Sequence, residues 1–163
     1  MPQKKKNKSK STASKPAIVC RNRKARYQYD LLDELECGIV LQGSEVKSIR
    51  NGKMSIDEAY VRVRGDELWL VGSHVAEYPP AALANHDPVR PRKLLAHKRQ
   101  IQKFAQAAEQ KGLTLIPLSV YFSRDLVKVR IAIARGRKLH DKREKLRKEA
   151  DRREMRQQLA RRR

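Results

Sequence analysis

Long apolar runs are missing from this 163-residue chain. No window approaches the ~20 consecutive apolar residues of a membrane span. The first residues lack the apolar core of a signal peptide, so the chain is expected to stay in the cytoplasm, with no membrane partner. Cysteine is scarce: Cys20 and Cys37 make neither a disulfide framework nor a zinc-finger set. Aromatic residues number eight, and none follows Phe122. Hydrophobic residues make up 39%, below the ordinary globular share of roughly 45–50%.

Catalytic patterns are missing too. The four histidines (His74, His86, His97, His140) are scattered, and no His/Cys spacing fits a metal site. There is no nucleophile elbow and no phosphate-binding glycine loop. The adjacent acids Asp33-Glu34 and Asp57-Glu58 read as solvated turn residues. Neither cysteine has a histidine beside it in a recognisable motif. The expectation is a protein without catalytic chemistry, metal or cofactor.

What is present is positive charge. Lys and Arg number 39 against 18 acids, a formal charge of +21. It sits at the two ends: residues 1–26 carry +10 with no acid, residues 135–163 carry +9, and the 108 residues between carry only +2. All eight aromatics fall in that middle. A middle of this length is able to bury a core. The extensions are not, so they are expected to be disordered when free and to meet a polyanion by releasing counterions. The organisation predicted is a basic arm over 1–16, a folded domain over 17–134 and a basic tail over 135–163.

In the middle, GIVLQG (38–43) reads as a strand. SEVKSIRNG (44–52) reads as a short helix with Ser44 as N-cap and Gly52 just past its end. Residues 59–64 alternate Tyr60, Arg62 and Arg64 with Val61 and Val63, a half-buried strand. Gly65-Asp66 turns into a second strand, ELWLVGSHV. A surface loop, YPPAALANHDPVRP, precedes a helix predicted from Pro91 to about 110, with Leu94, Leu95, Ile101 and Phe104 at helical spacing and Gly112 closing it. Residues 113–122 and 125–134 read as strands joined by a turn at Ser123-Arg124. In the second, Val127, Val129, Ile131 and Ile133 face one way and Lys128 and Arg130 the other. The fold expected is mainly β: a small closed antiparallel barrel of the oligonucleotide-binding type with one long inserted helix. Periodicity leaves a two-layer α+β sheet open.

Two basic segments are candidate RNA contacts: NRKAR at 22–26 and RPRKLLAHKR at 90–99, whose two leucines either both enter the core or, if one is left exposed among the arginines, offer a rest for a nucleobase. The tail has few apolar residues but many helix formers. Its acid-first pairs Asp141–Lys145, Glu144–Lys148 and Glu149–Arg153 contribute only ~0.2–0.5 kcal/mol each. Such a chain is suited to becoming helical against RNA.

These segments together resemble the SmpB (SsrA-binding protein) family of bacteria. The matching stretches are NRKARY (22–27), ECGIVLQGSEVKSIRNGK (36–53), AYVRV (59–63), NHDPVRPRKLL (85–95), LIPLSVYF (115–122) and KVRIAIARGRKLHDKR (128–143). The resemblance implies an OB-like barrel that binds the tRNA-like domain of tmRNA (SsrA RNA) in trans-translation, rescuing stalled ribosomes and tagging unfinished chains. It implies three partners: tmRNA, the small-subunit decoding centre and mRNA channel of the ribosome, and elongation factor Tu with GTP through the aminoacylated RNA. Asn22, Glu36 and Leu95 match the family's RNA-contacting positions, and Arg23, Arg26, Lys47, Arg92 and Lys93 join them as tmRNA candidates. Lys138, His140, Asp141, Lys142 and Arg143 match the tail motif of the decoding centre, and Arg137 joins them as a candidate. This chain reads Gly-Arg-Lys where the family commonly has Gly-Lys-Lys. The alternative that the residues themselves leave open is a constitutive ribosomal protein or general RNA chaperone.

Overall fold

In a computed structural model of the chain, residues 17–137 are described, together with 150–152, 155, 157 and 158, which are helical. The backbone of the architecture is the hairpin of β8 (Leu113–Ser123) and β9 (Leu126–Gly136). Arg124 and Asp125 both take positive φ, 49° and 64°, as a two-residue turn matched to strand twist requires. The turn thus lies one residue beyond the expected Ser123-Arg124. Val127, Val129, Ile131 and Ile133 are buried inside, as their alternation predicts. β9 runs past 134 to Gly136.

A second local hairpin, β4 (Tyr60–Arg64) and β5 (Glu67–Val71), turns at Gly65 with φ 57°. The predicted second strand stops at Val71; His74–Val75 is a separate short strand, β6, paired with β3 (Met54–Ser55).

Two strands at the start of the domain lie outside the sequence expectation: β1 (Ala17–Arg21) and β2 (Tyr29–Ile39). In β2 the register slips between Leu31 and Asp33 against β9. That extra residue breaks the period of two, which is what a bulge does to a sequence pattern. The expected strand 38–43 survives only at Gly38 and Ile39. Helix α2 (Gly43–Arg50) starts at an N-cap of Gln42, not Ser44, in a capping box with Glu45. Gly52 closes it with φ 71°.

The helix expected from Pro91 needs correction. Arg92–Leu95 is strand β7, and helix α3 begins only at Lys98 and ends at Glu109. Arg92 and Leu94 point inward while Lys93 and Leu95 point out, a period of two. β7 fills the gap between β5 and β2, pairing Leu68 with Leu94 and Gly38 with Leu95. His97 and Gln100 then form the capping box of α3, whose Phe104 is buried in the core.

With β7 in place the sheet closes: the order β8-β4-β5-β7-β2-β9 returns to β8, every pairing is antiparallel, and β1 is added along β8. The barrel, not the two-layer alternative, is therefore the fold. Inside lie Ile49, Leu68, Leu70, Leu94, Leu115, Val129 and Ile131. A smaller cluster lies on the outer wall, where Ala25 of α1 (Ala25–Gln28) covers Ile116, Leu118, Ala132 and Ala134.

Candidate nucleic-acid interface

Strand register assembles the site. Directly paired residues share a face of a sheet, and two rows of pairs cross the outer wall. One row runs Leu95, Gly38, Lys128, Tyr121, Ile18; the other runs Glu36, Arg130, Ser119, Arg21. Gly38 matters because it has no side chain: a Cβ there would lie 3.3 Å from the Leu95 Cβ. The leucine uses that space and remains 50% exposed.

The second wall of the site is the 22–28 segment. Asn22 is 9% exposed and shapes it from inside. Its Oδ1 accepts from the Ala25 N–H at 2.9 Å, its Nδ2 donates to the Ile56 carbonyl at 3.4 Å, and its own N–H donates to Leu118. With Ala25 anchored, Arg23 and Arg26 are turned outward. Between segment and wall lies a groove of about 600 Å³, lined by Arg21, Asn22, Arg23, Arg26, Tyr121 and Arg130 among others.

At its edge the Tyr121 hydroxyl donates to the Glu36 carboxylate. Lys128 Nζ is 3.5 Å from Glu36, and the Arg130 guanidinium lies 5.6 Å from the Tyr121 ring centre. The Tyr121 hydrogen bond first, then the charges of Lys128 and Arg130, hold the Glu36 carboxyl below the usual glutamate range. Burial, then the same carboxylate, push the Tyr121 phenol up. The result is an ionised acceptor beside a cluster of guanidinium groups, a combination that meets base amino groups and phosphates together.

The family model for the SmpB protein matches residues 19–161. The chain belongs to the SmpB family. It is 57% identical over 136 residues to the SsrA-binding protein of Rhodopirellula baltica, covering 82% of this chain and 77% of that one. To the SsrA-binding protein of Oleidesulfovibrio alaskensis it is 44% identical over 153 residues, 94% of this chain and 99% of the relative. Among solved structures it resembles a chain from "tmRNA-SmpB: a journey to the center of the bacterial ribosome", with TM-score 0.63, 44% identity, 74% of this chain covered and 85% of the other.

In this SmpB-family chain the other predicted residues fall in different places. Lys93 is two residues from Leu95 on the same outer face and is ion-paired with Glu67. Lys47 is exposed on the outer side of α2, its Nζ 5.4 Å from the Tyr78 ring centre, outside the groove. Arg92 is fully buried. Its Nε donates to Glu45 at 2.8 Å, Nη1 to Ser73 and the Arg90 carbonyl, and Nη2 to the Pro88 carbonyl. Burial raises the Glu45 carboxyl, but Arg90, the Gln42 N–H and Arg92 outweigh it and hold it low. Arg137 is bound to the barrel, its Nε 2.6 Å from Asp30. Lys138, His140, Asp141, Lys142 and Arg143 lie outside the described residues. Sequence reasoning did not single out Arg21, Tyr121, Lys128 and Arg130 as site residues. A usable signal existed for two of them: Lys128 and Arg130 alternate with core residues on β9.

Proposed function

We propose that the chain binds the tRNA-like domain of tmRNA with this wall and groove, and acts in trans-translation to rescue stalled ribosomes and tag unfinished polypeptides. The observation that carries the reading is the convergence of exposed Leu95, ionised Glu36 and the arginines of the groove on one wall, in a member of the SmpB family. Leu95 offers apolar contact to an unstacked base, Glu36 accepts from a base amino group, and Arg21, Arg23, Arg26 and Arg130 take phosphates. Asn22 acts by holding the 22–28 segment, and Lys47 and Lys93 add charge at the margin.

The working division is a basic arm over 1–16, a barrel extending through Arg137 and a tail beyond it. The tail enters the decoding centre and mRNA channel, with His140 stacking on a base and Lys138, Lys142 and Arg143 meeting phosphates, while Asp141 supports their placement. Elongation factor Tu with GTP delivers the aminoacylated RNA. The protein acts in the cytoplasm and performs no catalysis of its own.

A competition titration at ~150 mM salt tests this, because weak phosphate contacts are then largely screened. Labelled tRNA-like domain is challenged with excess unlabelled tmRNA, ordinary tRNA or duplex RNA. Strong competition by tmRNA alone supports the reading. Equal competition by all three assigns the binding to charge, and the chain becomes a general RNA binder.

A further inference from the structure

The last described residue of the barrel is tied to the segment that carries Arg23 and Arg26. Helix α1 is four residues long, and its final carbonyls have no successor turn to satisfy them. One residue, 109 positions beyond the end of that helix, supplies the donors. The Arg137 N–H donates to the Gln28 carbonyl at 3.0 Å. Its Nη1 reaches the Arg26 carbonyl at 3.3 Å and, more weakly, the Tyr27 carbonyl at 3.5 Å. Its Nε and Nη2 converge on Oδ1 of Asp30, at the start of β2. The Arg137 side chain is only 15% exposed. It is a cationic cap at a helix C-terminus, held in a planar fork that a lysine ammonium does not reproduce.

The segment therefore has two anchors. Asn22 fixes its first residue to Leu118 and Ile56, and Arg137 fixes its last turn. Arg23 and Arg26 lie between them and line the groove. We infer that Arg137 is a positioning residue that couples the groove to the base of the C-terminal extension, so that RNA bound between Arg23, Arg26 and Arg130 is sensed where residue 138 begins. The coupling rests on the RNA-binding reading for its ligand. The tie itself does not, because both anchors are formed without RNA.

The test is nitrogen-15 NMR on the full chain, free and titrated with the isolated tRNA-like domain of tmRNA. In the free protein, Arg137→Lys moves the Arg23 amide resonance, although Arg137 does not touch that residue. Asp30→Asn speeds exchange of the Arg137 amide by about tenfold, since the side chain no longer holds it against α1. On titration, the amides of 136–140 in the parent shift with the same saturation as those of 22–26. In Arg137→Lys that remote shift falls by half or more, while affinity for the RNA changes by less than about threefold. An Arg23 amide that stays in place in free Arg137→Lys overturns the proposal, as does an undiminished remote shift on titration. If the parent fails to bind the RNA, the functional reading falls and the Arg23 amide alone decides the tie.

Discussion

Leu95 and Leu94 are neighbours in the chain and opposites in the structure: one is half exposed beside Gly38 and the other is 1% exposed in the core. Leu95→Ala is expected to leave stability within about 0.5 kcal/mol of the parent and to weaken tmRNA binding by about fivefold to tenfold, read by filter binding. Glu36→Arg should weaken it further, because the carboxylate that Tyr121, Lys128 and Arg130 surround is replaced by another cation. Glu45 is a different kind of acid. It is buried against Arg92, and its carboxyl is held below the ordinary range, so its stabilising contribution is complete at neutral pH. That contribution is lost as pH falls from the unfolded glutamate range down through the depressed folded value. Glu45→Gln is expected to cost about 3 kcal/mol or more near pH 7, by leaving a buried guanidinium without its charge partner, with the gap to the parent narrowing in acid. Urea unfolding followed against pH measures both ends.

The elements that were legible from sequence are those whose partners are local. β4 and β5, β8 and β9, and the close of α2 at Gly52 each follow from alternation and a turn within a few residues. β7 does not, because a four-residue segment with two adjacent leucines fits either period, and only the open edges of β5 and β2 make it a strand. The two leucines separate the alternatives energetically. As a strand, Leu94→Ala should cost about 2–5 kcal/mol while Leu95→Ala costs almost nothing. Comparable losses at both positions, in urea unfolding, would contradict the alternating register. Gly38→Val belongs to the same element pair: its side chain would meet Leu95 Cβ, displacing the leucine and lowering RNA affinity more than stability.

Over the whole molecule, charge and fold are divided. The barrel and its groove supply shape, whereas residues 1–16 and the region beyond Arg137 supply a large share of the cations. Deleting residues 1–16 removes six lysines. Every phosphate those lysines neutralise steepens the fall of log affinity with log salt by about 0.7 to 0.9, so the shortened chain should show a flatter salt dependence. The preference for tmRNA over ordinary tRNA should remain. Asp141→Ala with Lys142→Ala is expected to spare tmRNA binding and to block tagging in a reconstituted translation assay. If that double variant loses RNA affinity as badly as Glu36→Arg, the division between barrel and tail is wrong.

Amino-acid order alone determined the basic ends, the confinement of the few aromatics to the middle, the local hairpins and the motif set that marks the family, because each can be read along the chain without its fold. Glu36 and Leu95 became candidates through the resemblance to the family that this motif set carries. Tertiary structure decided which cations face outward on the candidate wall. Arg92 and Lys93 are adjacent and equally basic in sequence, yet one is consumed by Glu45, Ser73 and Pro88 inside the barrel while the other lies outside. Arg130 and Tyr121 come beside Glu36, and Arg21 joins the far end of their row, only through strand pairing. Period-two alternation tells which residues share a face, but which face is core and which strands adjoin is settled by closure of the barrel, where apolar burial and backbone hydrogen bonding are satisfied at once.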